Sequence, residues 1–462
     1  MTICPKPNSF ARRVAASAAA LVLAAGIAAV RTAPASAGTV SVVRDAEIEG
    51  LLKDYARPIF RAAGLSDRGI EVVLIDDEAF NAFVDGHRIF IDTGTIMKAE
   101  TPNAVIGVIA HECGHIADGH QQRLREQMAR AKTLAVVGGL LGVGAVAGGI
   151  AAHSHGAAVA GAGMAMGTGS MAGRYLLSYR RSEEINADQA AVRFLNATHQ
   201  SAAGMLDTFE QFSRQNALAG VNVNPYELTH PLPKKRIDML EELAHKSPYF
   251  DRKDPPKLRF RHDMARAKIA AYDGGAAKVA QIFRSDRRSF AARYGFAIAA
   301  HLAGDSRKGL NDMEALIKEK PNDPYLHEMR GDMLLTIGRA DAAAKAYSRA
   351  LSLHPDEAGL IRARRGFALL STGKHSNLKQ AVSDLKAGIG EEPDNYSAYR
   401  ELSRAYGQLG EVGQAQLVMA EGYFRAGNKR QAQIFAARAQ QRLPKGTPGW
   451  VRASDILNLG KS

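Results

Sequence analysis

Cysteine is nearly absent from this chain, with two residues in 462. Cys4 falls in an N-terminal leader and Cys113 is left without a partner, so no disulfide framework holds the fold. Tryptophan occurs once, at Trp450, which reads as packing against the last helix or as an exposed contact. Charge is missing over a long stretch: from Thr133 to Gly173 there is no Lys, Arg, Asp or Glu. The first part of that stretch, 134–152, is long enough to cross a bilayer. Gly138 with Gly142, and Gly144 with Gly148, make small-x-x-x-small pairs suited to close helix contact. Yet Gly and Ala dominate and large apolar residues are few, and Gly weakens a helix in water. The preferred reading is a lid or membrane-touching segment beside a cleft, with a membrane-inserted helix as the alternative. His153 and His155 sit on too flexible a frame to be metal ligands. No nucleic-acid motif is present. A net charge of +13 and a pI near 9.6 therefore suit an acidic partner or peripheral contact with an anionic membrane surface.

What the chain does have begins with Arg12-Arg13, an Ala/Leu/Val-rich run from Val14 to Val30, and Ala35-Ser36-Ala37. This is the pattern of a secretory signal peptide over 1–37, cleaved before Gly38. Cys4 lacks a lipoprotein box. The remaining length is too great for one ordinary core and suits two domains.

The chemistry is concentrated in His111-Glu112-Cys113-Gly114-His115. Thr101-Pro102 opens a helix, Thr as N-cap and Pro at the first helical position. Val105, Val108 and Ile109 continue it as a buried stripe. Two histidines four apart on that helix share a face, where one zinc ion can take both. Glu112 stands beside them as the group to take a proton from a zinc-bound water. Cys113 reads as packing. His120 does not share the metal face and reads as a helix-end or surface histidine.

A catalytic zinc needs a third protein ligand and an open position. Glu184, Asp188, Ala191 and Leu195 recur on one helical face. Glu184 as ligand, with Asp188 behind holding a ligand histidine, accounts for two acids leading into an apolar stripe. Acids favoured by the dipole of a helix start are the plainer alternative.

His-Glu-x-x-His followed by Glu-x-x-Ala-Asp resembles the gluzincin peptidases of the HtpX and CAAX prenyl protease type. Asn81-Ala82-Phe83, the turn Asp85-Gly86-His87 and the strand-like run from Arg88 to Gly94 are similar to that family's hairpin before the active helix. Its usual Pro-Gly-Gly turn is replaced here by Asp-Gly, itself a strong hairpin signal. His230-Pro231 and Arg236-Ile237 resemble its later elements, and the likeness spans about residues 45–245. The resemblance implies zinc ligands His111, His115 and Glu184, one Zn2+ per chain, general base Glu112 and an outer Asp188. It also implies that His230 approaches the metal as a latching fourth ligand and that Arg236 stabilises an oxyanion. A simple turn before a helix remains the alternative for His230. The hairpin, with Asn81, Ala82 and Phe83, is expected to offer an edge strand with which an extended substrate pairs.

Lys246 to Lys257 carries three prolines among charges and reads as a linker, with 248–257 at its centre. Beyond it, Pro321 to Pro355 sets a 34-residue period in which Gly331, Leu334, Ala343, Tyr347 and Ala350 fall at tetratricopeptide positions. The next terminal proline, Pro393, implies an insertion near Ser376. A weaker third unit shows Tyr406 and Ala415, and a helix over 429–442 is expected to cap the array. Residues 258–320 read as helical but match the repeat poorly.

The expectation is an α+β, mainly α chain: signal 1–37, a zincin-type zinc metallopeptidase domain with a small β-hairpin or sheet over 38–247, and an all-α tetratricopeptide solenoid over 258–462. Within the resembled family, the periplasmic, repeat-bearing branch implies work on unfolded or misassembled envelope proteins. It further implies quality control and assembly of outer-membrane β-barrels, with the repeats touching the assembly machinery. A docking protein or chaperone with a latent or vestigial site, and a membrane-inserted protease, are the alternatives.

Overall fold

The computed structural model describes residues 41–66, 69–120, 122–130, 133, 136, 178–219, 230–231, 234–354, 356 and 358–458. The expected signal peptide and nearly all of the uncharged segment lie outside them. Among the described residues no helix is long and apolar enough to cross a membrane.

Four short strands make one mixed sheet in the order β1-β2-β4-β3: β1 (Val42–Val43), β2 (Glu71–Ile75), β3 (Ala82–Asp85) and β4 (Arg88–Asp92). β2 runs parallel to β4, while β3 folds back on it antiparallel. Asp85 pairs with Arg88, so the turn residues are Gly86 and His87 rather than Asp85 and Gly86. Gly86 takes φ +63°, the left-handed value that a two-residue hairpin asks of its first turn residue. The strand expected to run to Gly94 stops at Asp92, and Thr93–Lys98 forms a short helix, α2. Its hydroxyls explain the stop: Thr93 donates to the Asp77 carbonyl at 2.9 Å and Thr95 to that of Asn81 at 2.7 Å.

Helix α1 (Ala46–Ala62) buries Ile48, Leu51, Leu52, Tyr55, Ile59 and Phe60 on one face. At roughly 1.5–3 kcal/mol for each large side chain, this face anchors the core. Against it packs α3 (Pro102–Ala117), capped as expected by Thr101, whose hydroxyl accepts from the Ala104 amide. Helical residues 122–130 (α4), 178–197 (α5), α6 (Ala203–Ala219) and α7 (Lys234–His245) complete the part around the site. Residues 246–255 are tied to it: the Ser201 hydroxyl donates to the Phe250 carbonyl, and the Asn103 amide to Asp254 at 3.3 Å.

Among the described residues eleven helices follow: α8 (Pro256–Ile282), α9 (Phe290–Leu302), α10 (Ser306–Glu319), α11 (Pro324–Thr336), α12 (Ala340–Leu353), α13 (Gly359–Ser371), α14 (His375–Glu391), α15 (Tyr396–Gln408), α16 (Val412–Arg425), α17 (Lys429–Gln440) and α18 (Pro448–Asn458). Each packs on the next. Gly331 on α11 sits against the Tyr347 ring of α12, where a Cβ would come within 2.7 Å. This is the close helix approach that the period implied. The insertion near Ser376 is a longer second helix, 17 residues in α14 against 14 in α12. The helix expected over 429–442 is α17, but it does not cap the array: α18 packs on it and carries Trp450 half-buried.

The helical array shares its core with the sheet part. One hydrophobic cluster runs from Ile48 through Met264 to Met333. The array also returns to α1 and the residues before it at the end of α14: Glu392 receives Arg44 at 2.7 Å and Lys53 at 3.1 Å.

Candidate metal centre

Helix α3 presents His111 and His115 one turn apart, and α5 presents Glu184 and Asp188 likewise. Gly114 lets the two helices meet. A Cβ there would lie 3.0 Å from the backbone Cα and O of Ala187, so any side chain would push α5, and its carboxylates, away from the histidines. Cys113 is fully buried and free, as packing requires.

His111, His115, Glu184 and His230 each offer one donor atom, and these lie within 4.8 Å of one another. His111 Nε2 is 3.1 Å from His115 Nε2 and 3.4 Å from both His230 Nδ1 and Glu184 Oε2. Glu184 is 3.1 Å from His230 Nδ1 and 3.5 Å from His115 Nε2. A tetrahedral ion bound at about 2.0–2.1 Å separates its donors by about 3.3 Å, so the four groups fit one metal ion. His230 is the fourth donor of the group.

Glu112 is wholly buried beside them. Among the described residues neither of its oxygens has a hydrogen-bond partner, and the nearest His230 nitrogen is 3.5 Å away. A buried carboxylate without a partner is costly, and its position beside the donor cluster suits a group that handles a proton there. Burial raises its pKa, opposed by the charges of His230 and His111. Burial also pushes His111 down, but its hydrogen bonds to Asp188 and Glu184 outweigh this and hold it at about 9. His115 is lowered well below the histidine range by burial and by the neighbouring His111. Burial would raise Glu184, yet His230, His111 and Arg236 hold it well below the usual carboxylate range.

Asp188 stands behind His111, its Oδ1 2.9 Å from Nδ1, the side expected of it. Arg236 departs from its expected oxyanion role. Its guanidinium is 2% exposed and donates to both Asp188 oxygens, to Glu184 at 2.9 Å and to the Pro231 carbonyl at 3.0 Å. It also lies over the Phe209 ring. Arg236 is thus a buried clamp on two carboxylates and does not face the cleft.

His120 departs further from expectation. It is at a helix end but buried, 3% exposed. Its Nδ1 is 2.7 Å from Nδ1 of His115, and its Nε2 is 2.7 Å from Glu183. Neither His120 nor Glu183 stood out as a site residue in the sequence.

The cleft over this cluster, about 280 Å³, is lined by Phe83 and Val84 of β3 and by Glu112, His115, Glu184 and His230. β3 is the edge of the sheet. Asn81, just before it, accepts through its carbonyl from the Asp92 amide and the Thr95 hydroxyl, which fixes where the edge begins. A larger groove of about 810 Å³ lies between α1 and the helical array. Among the described residues the donor cluster lies in the smaller cleft.

Residues 43–244 match peptidase family M48. The chain is similar to the beta-barrel assembly-enhancing protease of Escherichia coli (strain K12), 24% identical over 388 residues, 81% of this chain and 75% of that protein. The putative beta-barrel assembly-enhancing protease of Vibrio cholerae is 29% identical over 271 residues, 56% of this chain and 53% of that one. Among solved structures, "MamA MSR-1 C2" is 19% identical, with a TM-score of 0.31, over 36% of this chain and 92% of that one.

Proposed function

From the premise that residues 43–244 are a peptidase M48 domain and the chain a metallopeptidase, we propose a zinc-dependent endopeptidase of the periplasm that cuts unfolded or misassembled β-barrel proteins of the outer membrane. The observation that carries the reading is the donor set of His111, His115 and Glu184 at tetrahedral spacing, with the buried carboxylate of Glu112 beside it and free of hydrogen bonds among the described residues. Two histidines and a carboxylate are zinc's ligand chemistry.

Zinc, when bound, supplies a Lewis acid and lowers the pKa of its water. Glu112 takes a proton from water on its carboxylate and returns it to the leaving amine; its raised pKa suits both halves of that exchange. Asp188 holds the His111 ring with Nε2 toward the other donors, and Arg236 keeps Asp188 and Glu184 ionised. The β3 edge pairs with an extended segment of substrate through its backbone, which selects unfolded chains and loops. His230, as fourth donor, keeps the resting site closed and withdraws when substrate arrives. The helical array over 258–462 is the docking part, for the client or the barrel-assembly machinery. Residues 1–37 are the export signal, 38–247 the peptidase domain and 248–257 the join.

The test is to incubate residues 38–462 with zinc and an unfolded outer-membrane barrel protein. Fragments that disappear with a chelator are expected. An intact client beside fully zinc-loaded protein would favour a chaperone or docking protein with a latent site, the second reading that the position of His230 supports.

A further inference from the structure

We propose that His120 is a positioning residue for the metal ligand His115, itself held by Glu183. The inference rests on the metal-binding reading above.

His115 turns Nε2 toward the donor cluster, 3.1 Å from His111 Nε2, and Nδ1 away from it. That Nδ1 is 2.7 Å from Nδ1 of His120. Two ring nitrogens at this distance share one proton, and which of them carries it follows from their other partners. A lone pair on His115 Nε2 toward the metal puts the proton on its Nδ1, so His120 Nδ1 accepts. The proton of His120 then lies on Nε2, which is 2.7 Å from Glu183 Oε2. Glu183 also receives Arg123 at 2.9 Å. The line ends on a carboxylate paired with a guanidinium; its His120–Glu183 step is an ion-pair approach rather than an aligned hydrogen bond. His120 and Glu183 expose only 4% and 11% of their side chains, at the margin of the cleft that both line.

Ligand histidines donate their second nitrogen to an outer group that fixes the ring. His111 turns its second nitrogen directly to Asp188, 2.9 Å away. His115 does so at one remove, through His120 to Glu183. The ligand Glu184 and both outer acids therefore come from one helix, α5. Gly119, at φ +63°, turns the chain after α3 so that His120 comes back under His115, a return that regular helical spacing forbids.

The test measures zinc affinity of the full secreted chain by competition with a chromophoric chelator, with melting of the metal-free proteins alongside. His120→Ala is expected to weaken zinc binding by about 10–100-fold, the usual effect of removing an outer partner, with the metal-free melting little changed. His120→Asn places an amide oxygen where Nδ1 stood and is expected to recover most of the affinity, which a mere space-filling role would not produce. Zinc affinity unchanged in His120→Ala, or Asn as weak as Ala, would overturn the proposal. A parent protein that binds no zinc would sink the metal reading itself, and this inference with it.

Discussion

Asp188→Asn removes a charge without removing volume, and it should cost the protein both stability and metal. In the folded chain Asp188 receives two nitrogens of Arg236 and lies 2.9 Å from His111 Nδ1. All three side chains are nearly or wholly buried, 5%, 2% and 0% exposed. With Asn in place, the guanidinium keeps only Glu184 as a charged partner among these contacts and cannot regain water. Breaking a buried pair from one side costs about 3–5 kcal/mol. The lost support of His111 should weaken zinc binding by about 10–100-fold, roughly 1.4–2.7 kcal/mol. Urea unfolding of the metal-free proteins reads the first effect and chelator competition reads the second. Because Arg236 and His111 lean on the same carboxylate, both must move. Unfolding curves that superimpose, or a fall in stability with zinc affinity untouched, would refute this reasoning.

The buried His262 accepts from the Tyr55 hydroxyl at 2.9 Å and donates to the Ala99 carbonyl at 2.9 Å; burial lowers its pKa to about 3. A base depressed on folding takes up its proton only when unfolded. Its stabilising contribution is therefore whole above the unfolded value, about 6.5, and is lost as pH falls toward 3. The stability gap between parent and His262→Gln should shrink by about 2–3 kcal/mol from pH 7 to 4.5, and urea midpoints showing a constant gap would contradict this. Gly114→Ala should separate α3 from α5 and weaken zinc binding at least tenfold, about 1.4 kcal/mol; parent-like affinity would show that α5 does not need that approach. His230→Ala should retain zinc and cleave unfolded protein faster than the parent, by about tenfold if the latch is worth about 1.4 kcal/mol, and an unchanged rate would end the latch idea.

The metal helix was legible because its signals are local: a Thr cap, Pro at the first position, an apolar stripe and two histidines one turn apart. Glu184 and Asp188 were legible for the same reason, since their spacing and the alanines after them mark a buried face. His120 was rightly kept off the metal face and at a helix end, but its burial against His115 was missed because helical angles say nothing beyond Asp118 and Gly119, where the helix ends and the chain turns back. Glu183 was hidden by its neighbour, as adjacent acids at a helix start have an ordinary electrostatic explanation. Gly114 occupies a motif position that tolerates many residues, and only the passage of α5 over it makes the absence of a side chain matter. Arg236 was identified as important but assigned to the wrong side of the metal face, which depends on how α7 packs and not on any spacing. In the array the 34-residue period gave the helix pair at Gly331 and Tyr347, whereas α18 follows the last repeat and has no period to betray it.

The most direct test of the central claim compares residues 38–462 of the parent with the same residues carrying Glu112→Gln, measuring bound zinc and cleavage of an unfolded barrel protein together. The account predicts one zinc ion in each and cleavage by the parent alone, because Gln keeps the shape of Glu112 but cannot take the proton. Equal cleavage by both proteins, or a parent that cleaves without metal, would contradict it.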